Sequence, residues 1–339
     1  MLPEAIKLAE VPFLSLGGSR LEDSARFDPR NAWLTATVLS DSTIVVKDHV
    51  RLLFFSDEGR LIAIAGRQGS GPGEFQQVRE VCEVTGSRVL SIDLTGRVAL
   101  WNHVGKLIKA WNRPGDIPQG GCTPEGTVVI REGVGAQVSA GSDSSPVPLA
   151  RHLVVSPDPV RIADIGVLPT NSYATFDASV PIFRITQTKI LYGNGRDFEI
   201  RTLNRDGALR AVTRLGRRAP EVSDEEWALR VAQIFPPGRQ RAPKSVVERF
   251  LRSKPDRFPA FSNFLLDHAG WVWVSDYQSE AGWTLIDTMG QLVGRFRVPG
   301  LPQERPGIAG FGPKFIVLRH RNSEGDLILS FHRFTATRG

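Results

Sequence analysis

The feature that most restricts the fold is a pattern that returns along the chain. Its first copy opens with Asp41-Ser42-Thr43-Ile44-Val45-Val46-Lys47-Asp48, a polar turn and a short β-rich run ending in Asp. Arg51-Leu52-Leu53-Phe54-Phe55 is a second apolar run, Asp57-Glu58-Gly59 a turn, and Leu61-Ile62-Ala63-Ile64-Ala65-Gly66 a third run. Short runs of β-branched and aromatic residues separated by Gly and Asp turns make a β-meander. A second copy, Gly86 to Trp111, places Asp93 45 residues after Asp48. A third clear copy occupies Gly270 to Phe296 with Asp276, and a weaker one runs from Lys189 to Gly207, where Asn194 replaces the Asp. Across these four, the distance from the Asp or Asn to the next turn glycine changes only from 11 residues (Asp48 to Gly59) to 14 (Asp276 to Gly290). Looser copies beginning at Glu125 and Lys314 bring the count to six.

A sheet this small leaves an apolar face and two edges in water, so such units are stable only when stacked on one another and closed. The pattern therefore predicts an all-β fold, a six-bladed β-propeller with about four strands per blade. It is expected as a single domain over 1–339, with blades at 32–66, 78–112, 120–168, 182–215, 259–298 and 311–334. A short apolar run at 11–16, Val11 to Leu16, precedes the first unit and is the candidate for closing the ring by completing the last blade.

With 41% hydrophobic and 23% charged residues, the chain has an ordinary globular composition. No segment approaches the ~18 consecutive apolar residues of a transmembrane helix. The start, Met1 to Glu10, lacks the basic region and apolar run of a secretory leader. Cys82 and Cys122 each stand four residues before a turn glycine, Gly86 and Gly126, which puts them at matching places on the innermost strands of adjacent blades. A disulfide needs Cα atoms within about 7 Å, and matching places on neighbouring blades are expected to lie farther apart. Two free, mostly buried thiols are the expectation.

Few residues point to chemistry. The six histidines show no HxH or HExxH spacing, and no GxSxG nucleophile elbow occurs. No metal or cofactor is expected, although ligands gathered from several blades stay open. Asp48, Asp93 and Asp276 read as acceptors for loop amides rather than as a ligand set, because equivalent residues are spread around a ring. The glycines from Gly66 to Gly73 read as an interblade turn, since the helix that a phosphate-cradling loop requires does not follow.

The segment Gly66-Arg67-Gln68-Gly69-Ser70-Gly71-Pro72-Gly73-Glu74-Phe75 resembles the interblade GxGxGPGEF motif of bacterial six-bladed β-propeller proteins related to the NHL repeats. The stretch from Phe258 to Val298, with Phe258-Pro259-Ala260-Phe261, Leu266-Asp267 and Gly270-Trp271-Val272-Trp273-Val274, is similar to the fifth blade of the same group. The resemblance spans about residues 11 to 334 and implies the fold. It says little of function, and it implies an exported, periplasmic or cell-envelope protein if the start is truncated. The Asp of the repeat is absent from the sixth unit, so a ring of six equivalent acids is not expected.

One region departs from the β pattern. Ser223-Asp224-Glu225-Glu226 is a capping box that opens a helix through about Phe235, and a second helix follows from Pro243 to Arg252 with Val246, Val247, Phe250 and Leu251 on one face. This insertion after blade four, 216–257, carries many basic residues, and Arg217, Arg218, Arg239, Arg241 and Lys244 are its candidate binding residues. The net charge of +6 suits an anionic partner, although an Arg-rich composition also arises from a GC-rich genome. Two functional classes follow. The first is a non-enzymatic binding module for a protein, polysaccharide or other anionic partner. Sequence-specific nucleic-acid recognition is not expected, because Trp227, Phe235 and Phe250 should pack inward rather than stack on bases. The alternative is a metal-dependent hydrolase or lyase with its site in the channel, of the lactonase-like kind.

Overall fold

The computed structural model describes residues 6–29, 31, 34–112, 117–138, 147–156, 160–169, 181–195, 198–214, 221–235, 243–252, 254, 256–276, 282–298 and 307–336. Six antiparallel sheets form a six-bladed propeller. Blade one is the meander Thr35–Val38, Ile44–Asp48, Arg51–Phe55 and Leu61–Ala65; blade two is Val78–Val84, Arg88–Asp93, Arg97–Trp101 and Leu107–Asn112. Blade three comprises Ile117–Cys122, Val128–Val138, Val147–Val155 and Arg161–Pro169, and blade four Pro181–Ile185, Lys189–Asn194, Glu199–Asn204 and Leu209–Arg214. Blade five comprises Phe261–Leu266, Val272–Asp276, Gly282–Ile286 and Leu292–Arg297. Blade six has Gly307–Gly312, Phe315–Arg321 and Leu327–Ala336, and its outer edge is taken by two N-terminal segments. Leu14–Gly17 pairs with Ile328 to Phe331, and Ile6–Leu8 pairs farther along with Phe334 to Ala336. Val11 lies between the two pairings, 78% exposed.

The sequence reads as nearly unbroken apolar runs in the second and third strands, as in blades one and five, because those strands are buried on both faces. Ile44 and Val46 enter the seam with blade six, while Val45 between them enters the seam with blade two. Each of the six seams holds its own apolar cluster, and the first strands of successive blades stand side by side around the axis. The approach is so close that glycine is required. A Cβ on Gly310 would stand 2.1 Å from the Ala36 carbonyl oxygen, and one on Gly120, at φ +74°, 2.0 Å from that of Phe183.

This crowding corrects the expectation for the cysteines. Cys82 and Cys122 form a disulfide with Cα atoms 5.9 Å apart. Blades two and three pinch together at this end of the ring, where the Thr85 amide donates to the Pro124 carbonyl at 2.8 Å. Matching places on innermost strands are therefore within bridging distance, whereas those on outer strands diverge with the radius.

The insertion contains helix α1 (Asp224–Ile234) and helix α2 (Lys244–Arg252). Ser223 and Glu226 form the reciprocal capping box that opens α1. Trp227, Val231, Phe250, Val222 and Phe258 make a separate small core, against which Phe235, Val246 and Val247 pack, and the Trp227 indole donates to the Phe250 carbonyl at 2.9 Å. Leu251 differs from expectation: it is 42% exposed and takes no part in that core.

Candidate functional site

The interblade loop that resembles a phosphate cradle is filled by the chain's own carboxylate. Glu74 Oε2 accepts from the amides of Ser70 at 2.9 Å and Gly71 at 2.8 Å, and Oε1 accepts from Arg67 Nε at 2.8 Å. These bonds hold the Glu74 carboxyl below its usual pKa, with the Gly71 amide the largest cause and Arg67 next. Gly69 is required because a Cβ there would lie 2.0 Å from Glu74 Oε2. Beside the loop, a recess of about 140 Å³ is lined by Gly71, Pro72, Glu74, Arg97 and Trp111 among others.

The repeated Asp is likewise a buckle. Asp93 Oδ2 accepts from the Gln76 amide at 3.0 Å, and its Oδ1 accepts from the Thr95 amide and hydroxyl, both at 2.6 Å. Asp48 accepts from the Asp28 amide at 3.2 Å, from Asn31 Nδ2 at 3.0 Å and from Arg51 Nη2 at 2.8 Å. Each of these aspartates ties the turn after its blade's second strand to the segment entering that blade. The turns and the interblade segments thus share one end of the ring, and the helical insertion, itself an interblade segment, leaves from that end.

At this end a second position of the repeat points toward the next blade. It is the residue immediately before the Asp or its equivalent (Glu132, Asn194 and His320 in blades three, four and six), which is Lys47, Ile92, Arg131, Gly193, Ser275 and Arg319 in blades one to six. Three of the six are basic. Lys47 crosses to blade two, where Nζ donates to the Arg79 carbonyl at 3.1 Å, and Arg319 crosses to blade one, where Nη1 donates to the Leu34 carbonyl at 3.2 Å. Arg184, on the first strand of blade four, donates to the Phe183 carbonyl at 2.6 Å and to Asn263 Oδ1 of blade five at 3.0 Å, with its guanidinium over the Phe264 ring.

These charges sense one another across the channel. Burial holds the Lys47 ammonium below the usual lysine pKa; Glu80 opposes this, and Arg79, Arg184 and Arg319 reinforce it. Burial likewise lowers Arg184, again opposed by Glu80. Blades one and four are opposite in a six-membered ring, so an interaction between Lys47 and Arg184 passes through the axis. Lys47 is thus acted on by Arg79, Arg184 and Arg319 in one sense and by Glu80 in the other. Among the described residues, Lys47, Arg79 and Arg184 make no direct ion pair. Charges of one sign gathered at a confined site attract ions of the other.

Sequence reasoning directed attention elsewhere. Arg217, Arg218, Arg239 and Arg241 lie outside the described residues. Lys244 is the first residue of α2, almost fully exposed, with Nζ 3.8 Å from Glu248 Oε1. The cations at this position went unread because the residue differs from blade to blade. Aligning the six copies on their second strands and reading one place before the Asp or its equivalent exposes Lys47, Arg131 and Arg319. Arg79 and Arg184 carry no such signal. Among the described residues, no group of three or more His, Cys, Asp and Glu gathers as a metal cluster.

No protein-family model matches the chain, and no curated protein matches it by sequence. Its fold is similar to that of solved structures. A proposed exported protein from Bacteroides fragilis superposes with a TM-score of 0.57 at 11% identity, covering 98% of this chain and 96% of the other. A member of the DUF4221 family from Bacteroides vulgatus gives 0.56 at 10% identity, covering 98% and 99%. A gluconolactonase from Xanthomonas campestris gives 0.45 at 15% identity, covering 89% and 86%, a likeness too distant to bear on chemistry.

Proposed function

We propose that this protein is a binding module in which the propeller is a rigid platform and the ligand is an anion held at the cationic end of the channel. The observation that carries this reading is that Lys47, buried where blade one meets blade two, is acted on by Arg79, Arg184 and Arg319 from three other blades, with Glu80 opposing them. A cation kept in a partly dehydrated channel by the rigidity of the ring costs stability when the channel holds only water. An anion supplies what is missing and is bound without reorganisation of the wall. The basic insertion, with Arg217, Arg218, Arg239, Arg241 and Lys244, adds long-range attraction at the same end of the ring in this reading. The Gly66 to Phe75 motif supports kinship with the NHL-related propellers. The Cys82–Cys122 bridge supports a place in an oxidising compartment, where such bonds persist.

The test is thermal. Anions compared at matched ionic strength should raise the melting temperature of the full chain in a saturable way, by linkage. Lys47→Met should melt at or above the parent without anion and lose the anion-dependent gain. A parent that responds to ionic strength alone would refute the reading.

A further inference from the structure

Independently of the anion reading, we infer that the outer edge of blade one is a dimerisation surface, on which the strand Leu61–Ala65 pairs antiparallel with the same strand of a second copy of this chain. The last strand of a blade is paired on one side only, so its backbone turns N–H and C=O groups outward, open to another strand. Proteins guard such edges with charge, proline or bulges. Four of the six blades do so here with charge, through Lys109 in blade two, Arg161 in blade three, Arg210 in blade four and Arg295 in blade five. Blade six is guarded by the N-terminal segment, which bulges at Val11 and Pro12 between its two pairings. Blade one has neither device. Its last strand, Leu61-Ile62-Ala63-Ile64-Ala65, holds no charge and no proline, and among the described residues no strand pairs with its outer side. Leu61, Ile62 and Ile64 are 36%, 41% and 39% exposed. The slip in register beside Phe54 and Phe55 recurs at the same place in blades two, four and five, so it gives this edge no protection of its own.

What selects a second copy is the complementarity of the strand to itself. A two-fold axis at Ala63 sets Ala63 against Ala63 and Ile62 against Ile64 of the other copy, an apolar pairing throughout. The flanking charges then alternate. Glu58 and Arg60 stand before the strand, 3.6 Å apart, and Arg67 stands after it, 2.8 Å from Glu74. Antiparallel pairing brings the Glu58–Arg60 couple of one copy to the Arg67–Glu74 couple of the other at both ends, two charges of each sign. Parallel pairing would set Arg60 beside Arg60 and Arg67 beside Arg67, and like charges directly opposite are destabilising. The contact is isologous and closes at two, because the remaining edges are guarded. One strand pair buries well under the ~1,000 Å² of a stable interface, so the dimer is a weak one.

Sedimentation of the full chain between about 1 and 200 µM should show monomer passing to dimer, with no larger species. Ile64→Lys, at an exposed side chain, should raise the dissociation constant at least about tenfold while the melting temperature holds. The same charge on blade two, Ile108→Lys at another exposed position, should leave it within about twofold. Should Ile64→Lys not fold, Ile62→Lys makes the same test. Register is read by mixing two variants: Ile62→Cys and Ile64→Cys together should cross-link under mild oxidation faster than either alone. A monomer at every concentration would overturn the proposal and leave the edge to a strand of a different protein. A dimer that survives Ile64→Lys, or that weakens as much with Ile108→Lys, would overturn it as well. So would equal cross-linking in the single and mixed samples.

Discussion

The seam between blades one and two and the seam between blades two and three perform the same task by different chemistry. At the first, the chain crosses between blades through Gly66 to Phe75, and Phe75 is driven fully inside, 6.2 Å from Trp101, while Glu74 and Asp93 gather the loop amides. At the second, Thr123 closes the turn between the first two strands of blade three with bonds to Thr127, and a covalent bond joins the innermost strands. A polar loop can satisfy its own backbone and seal a seam only when its glycines and carboxylate are correctly spaced. At the seam between blades two and three a cross-link adds a covalent constraint. The contrast teaches that the repeat conserves the geometry of a junction, not its means.

The largest expected effect breaks the covalent seam. Closing a 40-residue separation removes about 4 kcal/mol of unfolded-chain entropy in the simplest treatment, so Cys82→Ser/Cys122→Ser, or the reduced parent, should unfold at distinctly lower denaturant. Protein recovered from its own cells should carry no thiol open to alkylation before reduction. Unchanged denaturation midpoints would show that seam two is held by its apolar cluster alone.

A smaller effect tests the next seam, where blade three meets blade four. His152 is buried and stacks on Phe183 at 4.9 Å; burial lowers its pKa to about 4, with the Ala150 backbone opposing and Arg131 adding to the fall. The unfolded imidazole titrates near 6.5, so between about 6.5 and 4 the unfolded chain binds the extra proton. Stability from this residue is complete above about pH 6.5 and is lost as pH falls toward 4, by at most about 3 kcal/mol. His152→Phe should flatten that part of the stability profile measured by urea titration at several pH values; an unaltered slope would remove His152 as its source.

The smallest effect loosens the polar seam. Glu74→Ala strips the Ser70 and Gly71 amides and Arg67 of their acceptor, but water reaches this exposed loop, so the loss should be well below that of the disulfide variant. Hydrogen exchange at Ser70 and Gly71 should accelerate while the blade-two strands keep their protection. Global destabilisation on the scale of the disulfide variant would mean that the two seams are not the contrast described.

The architecture was legible because its determinants are local and repeated. Turn glycines, the Asp that fastens each turn and runs such as Ile44-Val45-Val46 and Trp271-Val272-Trp273 state six blades without any knowledge of what touches what. The capping box at Ser223 and Glu226 was equally local, and it starts α1 where the residues say. The cysteine pairing and the cation cluster depend instead on distances between blades. Whether Cys82 meets Cys122 is decided by the small radius of the innermost strands, which the identity of neither residue records. Lys47 and Arg184 are 137 positions apart in the chain and become neighbours in charge only because a closed ring of six sets blade one opposite blade four. Sequence by itself therefore determined the repeat, the blade and the helical insertion, since hydrogen-bonding and burial within one unit suffice to choose them. Only the tertiary structure decided the bridge and the mutual influence of Lys47 and Arg184, because both arise from the closure of the ring.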